Sequence, residues 1–149
     1  MKSIMDYPNI NDKRPLGISP ALRRYSAYLI DDSSTVRAML KQILLSEKFV
    51  LAGEAENGEI AVNVLSAMKE KPDYIFCDID MPHLNGIETV KQLRPIMSSS
   101  DIIMCTSHGE KEIVVALLKM GVKGYIQKPF DRTKVLERLN DIVANNPKD

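Results

Sequence analysis

No apolar run in these 149 residues approaches the ~20 that a membrane-spanning helix needs, so no insertion into a bilayer is expected. Net charge is missing too. Lys and Arg total 20 and Asp and Glu total 20, which removes the electrostatic basis for direct nucleic-acid binding. Cysteine is scarce: Cys77 and Cys105 are too few for a disulfide framework. The opening stretch MKSIMDYPNINDKRP lacks the apolar segment of a secretory signal. The expected setting is therefore a reducing cytoplasm. Common site signatures are absent as well. There is no GxxxxGK followed by Ser or Thr, no GxGxxG after a strand, no zinc-spaced Cys or His pairs, and no GxSxG. What is present is 44% hydrophobic and 27% charged residues, a composition suited to one globular domain.

The charge is unevenly placed. Residues 1–26 hold Lys2, Lys13, Arg14, Arg23 and Arg24 against Asp6 and Asp12, and also Pro8, Pro15 and Pro20. No sustained period runs through them. They read as an N-terminal extension, partly mobile or laid over the surface, ahead of a domain at residues 27–146.

The domain alternates between two patterns. Short apolar runs occur at Tyr28-Leu29-Ile30, Phe49-Val50-Leu51-Ala52, Tyr74-Ile75-Phe76-Cys77, Ile102-Ile103-Met104-Cys105 and Tyr125-Ile126-Gln127. Between and after them come helical stripes: Val36, Met39, Leu40, Ile43 and Leu44, then Ile60, Ala61, Val64, Leu65 and Met68. Further helices are expected at residues 87–97 and 113–120, and on Val135, Leu136, Leu139, Ile142 and Val143. Ser33, Ser34 and Thr35 are N-cap candidates for the first. Five strands alternating with five helices predict an α/β, doubly wound parallel sheet. Continuous rather than alternating apolar runs predict strands buried on both faces, and the helical stripes read as core.

Four of the five runs end in polar groups: Asp31-Asp32, Asp78, Thr106-Ser107 and Lys128. A parallel sheet brings these to one edge, where such folds bind ligands. Any one alone would read as a solvated strand end; four together read as a site. Crowded carboxylates repel unless a cation shares them, and oxygen-only ligands suit Mg²⁺ (or Mn²⁺). A strand-end Asp is also a competent nucleophile toward phosphorus. Lys128 and Thr106 would then meet the charge on phosphoryl oxygens.

The segments YLIDDSSTVR, PDYIFCDIDMPHLNGIE, IIMCTSHGE and GYIQKPFD resemble the receiver domains of two-component response regulators, in their stand-alone, CheY-like form. The resemblance spans residue 27 to about 145. It implies a flavodoxin-like five-stranded sheet of order 2-1-3-4-5. It implies Asp78 as phosphoacceptor, Asp32 as a direct Mg²⁺ ligand, Asp31 acting largely through water, and the backbone carbonyl of Asp80 as a further ligand. Thr106 would be the switch hydroxyl, Tyr125 the switch aromatic, Lys128 the phosphate-pairing cation, and Pro129 a residue often preceded by a cis bond. The implied partners are a sensor histidine kinase or a histidine phosphotransfer protein, and a downstream target on the surface of the fourth helix, fifth strand and fifth helix. Lys119, Lys123 and Arg132 are expected near that surface. Chemotaxis and single-domain phosphorelay are the two implied uses. Asp80 and His108 stand two residues after the acceptor and the switch Thr, where their side chains are expected to modulate the chemistry.

Asp78-Ile79-Asp80 also matches the D-x-D of haloacid-dehalogenase-like phosphatases. There, however, D-x-D opens the domain and the acid pair comes last; here the acid pair comes first. The expectation is therefore a receiver rather than an enzyme acting on other substrates. His83 reads as a solvated loop residue, and Cys77 and Cys105 as reduced core neighbours.

Overall fold

The computed structural model describes residues 14–107, 109–145 and 148. Five strands, β1 (Ser26–Ile30), β2 (Val50–Ala55), β3 (Tyr74–Asp78), β4 (Asp101–Thr106) and β5 (Gly124–Gln127), form one sheet of order β2-β1-β3-β4-β5. Every pairing is parallel. The helices α1 (Ser34–Ser46), α2 (Gly58–Ala67), α3 (Gly86–Leu93), α4 (Lys111–Lys119) and α5 (Arg132–Asn145) alternate with them. The polar side chains of Ser33, Asn57 and Asn85 start α1, α2 and α3 by accepting from Val36, Ile60 and Glu88 N–H groups that no helical carbonyl reaches.

Side chains alternate across the sheet and divide the core in two. Ala27, Leu29, Tyr74, Phe76, Ile103, Cys105 and Ile126 pack with α1 and α5. Tyr28, Ile30, Ile75, Cys77, Ile102 and Met104 pack with α2, α3 and α4. Cys77 and Cys105 are thus on adjacent strands but in opposite halves of the core, not neighbours within one. The period-2 geometry decides this: Cys77 pairs with Met104, and Cys105 with Asp78.

Three elements differ from expectation. β3 and β4 are buried at every position, but β2 is an edge strand on which Val50, Ala52 and Glu54 are exposed. α3 ends at Leu93 rather than at residue 97, because Pro95 lacks an N–H to continue the ladder. Arg94 caps the break, donating to the carbonyls of Met97, Ser100 and Gly121. α4 buries only Leu117 fully and leaves Val115 and Leu118 exposed, so its apolar sequence is not all core.

Residues 14–25 lie at the N-terminal ends of the strands. Ile18 bridges Arg24 in an antiparallel pair, Gly17 N–H donates to the Glu47 carbonyl, and Leu16 packs against the α1–α5 half of the core. Residues 1–13 and His108 lie outside the described residues. Among the described residues, no helix is long and apolar enough to cross a membrane.

Candidate functional site

The C-terminal ends of β1, β3, β4 and β5 meet at one edge of the sheet. Asp31 and Asp32 follow β1, Asp78 is the last residue of β3, Thr106 the last of β4, and Lys128 follows β5. One carboxylate oxygen from each of Asp31, Asp32 and Asp78 lies within 4.8 Å of the others. Lys128 Nζ sits between two of them, 2.9 Å from Asp31 Oδ2 and 3.3 Å from Asp78 Oδ1.

Backbone geometry fixes two of the three acids. Ser33 N–H donates to Asp31 Oδ1 at 2.9 Å, and Ile79 N–H to Asp78 Oδ1 at 2.8 Å. Asp32 is exposed, and its carboxylate has no hydrogen bond or ion pair among the described residues. Gly86 closes the turn after β3. Its N–H donates to the Ile79 carbonyl at 2.7 Å, and a Cβ there would sit 2.0 Å from the Asp78 carbonyl oxygen. Any larger residue would displace the end of β3. The Lys128–Pro129 bond is cis, and Lys128 N–H donates to the Thr106 carbonyl at 2.8 Å.

The electrostatics follow from burial. Burial, and then the Asp31 charge, push the Asp78 carboxyl up to about 6 against the pull of Lys128 and the Ile79 N–H. Burial would lower the Lys128 ammonium, but its bond to Asp31 and the charges of both acids outweigh this and raise it. Lys128 is therefore a fixed cation at neutral pH. Burial also pushes both thiols, Cys77 and Cys105, well above their ordinary range, which leaves them protonated and unreactive.

This donor set fits a hard divalent cation. All three side chains are oxygen ligands, two are held by backbone, and the cluster carries more negative charge than Lys128 alone offsets. Thr106 is buried beside this edge. Asp80 is exposed two residues beyond Asp78. Tyr125 is farther off, half-buried on β5 and packed toward the α4 side of the sheet. Arg138 lies 5.5 Å from the centroid of its ring and donates to its carbonyl. His83 is exposed, in the left-handed region at φ 70°. Arg132 does not join Lys119 and Lys123 near α4; it reaches Ser46 Oγ and the Glu47 carboxylate on the α1 side.

Sequence reasoning missed Arg37. Its Nη1 donates to the Asp31 carbonyl at 2.6 Å and its Nε to Glu54 Oε1 at 2.8 Å. The available signal was a lone arginine in the first turn of a helix that opens directly after the acid pair.

The model of the response regulator receiver domain matches residues 27–140. The chemotaxis protein CheY of Treponema pallidum is 35% identical over 143 residues, 96% of this chain and 99% of that protein. CheY of Thermotoga maritima is 38% identical over 114 residues, 76% of this chain and 93% of that protein. A chain in the crystal structure of the CheX–CheY–BeF3–Mg²⁺ complex from Borrelia burgdorferi superposes with a TM-score of 0.81 at 30% identity, covering 87% of this chain and 98% of that one.

Proposed function

The chain belongs to the response regulator receiver family, in its CheY-like form, and from that premise we propose that Asp78 accepts a phosphoryl group and thereby switches a protein-binding surface. The observation that carries the reading is the buried Asp78 carboxylate, held by the Ile79 N–H and Lys128 within reach of Asp31 and Asp32.

An Asp78 carboxylate oxygen attacks the phosphorus of a phosphohistidine on a sensor kinase or phosphotransfer protein. The P–N bond breaks, its electron pair stays on the imidazole nitrogen, and that nitrogen takes up a proton. With the Asp78 carboxyl at about 6, the nucleophile is mostly ionised at neutral pH. The Lys128 ammonium and the Thr106 hydroxyl donate to the phosphoryl oxygens. Asp31, Asp32, Asp78 and the Asp80 carbonyl would hold Mg²⁺ (or Mn²⁺), which supplies positive charge against the transferring group. Water later cleaves the acyl phosphate, so the chain turns over only its own phosphoryl group. The Asp80 side chain adds negative charge at the mouth and modulates donor entry.

Thr106 moving toward the phosphoryl group, with Tyr125 turning inward, alters the surface of α4, β5 and α5. Val115, Leu118, Lys119 and Lys123 are exposed there, apolar and basic together, which suits an acidic amphipathic partner. The CheY relatives favour chemotaxis over phosphorelay as the use. The reducing cytoplasm is the setting proposed with it. Family membership displaces the phosphatase alternative.

Labelling by radioactive acetyl phosphate tests the assignment. The unsubstituted chain is expected to incorporate label with Mg²⁺ and none with EDTA, and Asp78→Asn none under either condition. Full labelling of Asp78→Asn would overturn it.

A further inference from the structure

We propose that Arg37 is a positioning residue for the divalent cation: it fixes the Asp31–Asp32 peptide and so aims the Asp32 carboxylate. The proposal rests on the reading of Asp31, Asp32 and Asp78 as a cation site.

The three acids are held unequally. Asp31 is held at both carboxylate oxygens, by Ser33 N–H and by Lys128. Asp78 is held by Ile79 N–H and Lys128. Asp32 has no such hold on its side chain, yet one of its oxygens lies with the others in the cluster. Its aim is therefore set by its backbone. The carbonyl of Asp31 belongs to the peptide plane that leads into Asp32, and Arg37 Nη1 grips that carbonyl at 2.6 Å. The guanidinium is itself anchored. Its Nε bonds Glu54 Oε1 on β2, and Lys41 pairs with the other Glu54 oxygen. Its bonds to Lys41 and then Arg37 hold the Glu54 carboxyl below the ordinary range, against a smaller opposing effect of burial. The Asp31 N–H completes the frame by donating to the Ala55 carbonyl. A planar, forked guanidinium serves two acceptors at a fixed angle, which an ammonium on a flexible stem does not.

Charge and geometry predict opposite signs here, which makes the proposal testable. Arg37 is a cation beside a cation site, so by charge alone its removal would tighten Mg²⁺ binding. By geometry its removal frees the Asp32 peptide and weakens binding. Partners that orient metal ligands typically alter affinity about 10- to 100-fold. Mg²⁺ affinity is to be measured by NMR titration of the full chain, with thermal unfolding in EDTA recorded for each variant. Arg37→Ala and Arg37→Lys are both expected to bind Mg²⁺ about tenfold more weakly, and the deficit is expected to persist at high salt, where the charge effect is screened. Arg37→Lys keeps the charge, so its loss isolates geometry, and it serves if Arg37→Ala fails to fold. Unchanged affinity in Arg37→Lys, or tighter binding by Arg37→Ala, would overturn the proposal while leaving the cation site standing. Failure of the unsubstituted chain to bind Mg²⁺, or undiminished binding by Asp32→Asn, would overturn the site and the proposal together.

Discussion

Asp78 is placed where it is useful to chemistry and costly to the fold. Its carboxylate is buried beside Asp31, and Lys128 offsets only part of the penalty, so its proton is held up to about 6 rather than near 3.8. Between those two values the folded chain retains a proton that the unfolded chain has released. Stability therefore falls as pH rises through this window and stays lower above it. The gap corresponds to a loss on the order of 3 kcal/mol. An amide has no such charge to desolvate. In EDTA, Asp78→Asn is expected to exceed the parent by about 2–3 kcal/mol at pH 7.5, with the advantage shrinking toward pH 4. Urea unfolding at the two pH values checks this, and equal stability at both would contradict it. Mg²⁺ is expected to recover the parent's deficit, because a ligand bound only by the folded state stabilises it by mass action. Asp31, Asp32, Asp78, Thr106 and Lys128 were legible in the sequence because each stands at the end of an apolar run, where a parallel sheet converges. Arg37 was not, because its role depends on a carbonyl and on Glu54 from another strand, and hydrophobic pattern encodes neither.

At the level of elements, the alternation of runs and stripes carried the fold, and the differences at β2 and α4 share a cause. An apolar run states that a segment is apolar, not how many neighbours cover it. Phe49-Val50-Leu51-Ala52 resembles the central runs, but β2 has a partner strand on one side only, so Val50 and Ala52 face outward. The α3 boundary is legible in Pro95, which cannot continue a helix; Met97, within the expected span, is buried but lies beyond the helix. α4 is the more consequential case. Ile113, Val114, Val115, Leu117 and Leu118 look like a core helix, yet only Leu117 is fully buried. Leu117→Ala is expected to cost about 2–3 kcal/mol, as a buried leucine truncation does. Val115→Ser and Leu118→Ser are expected to change stability by under about 0.5 kcal/mol, as exposed substitutions do. Denaturant midpoints decide the matter. A large loss in either Ser variant would return that residue to the core and remove it from the proposed partner surface.

Across the whole molecule, chemistry and anchoring occupy opposite ends of the sheet. The carboxylates gather at the C-terminal ends of the strands, whereas residues 14–25 lie at the N-terminal ends. β1 alone has five residues, so at ~3.3 Å each the two regions are roughly 15 Å apart. The uneven charge of the sequence takes a concrete form at that base. Arg23 forks onto both oxygens of Asp73, which also accepts from Ser26 N–H, and Arg24 donates to the carbonyls of Lys48 and Phe49. Tyr25 packs edge-on against Tyr74 at 5.3 Å and near Phe49 at 6.2 Å, closing the lower core. The Arg23–Asp73 pair is partly exposed, so it contributes no more than about 1 kcal/mol. Leu16, half-buried, adds about as much again. Deleting residues 1–24 is therefore expected to lower stability by about 2–3 kcal/mol, or roughly 10 °C in Tm. Among the described residues, Asp31, Asp78 and Lys128 share no hydrogen bond with residues 14–24, so the truncated chain is expected to keep its rate of labelling by acetyl phosphate at temperatures where it stays folded. The two measurements separate the roles. A large loss of labelling rate in a folded truncated chain would show that the base of the sheet is coupled to the site; an unchanged Tm would show that residues 14–24 add nothing to the core.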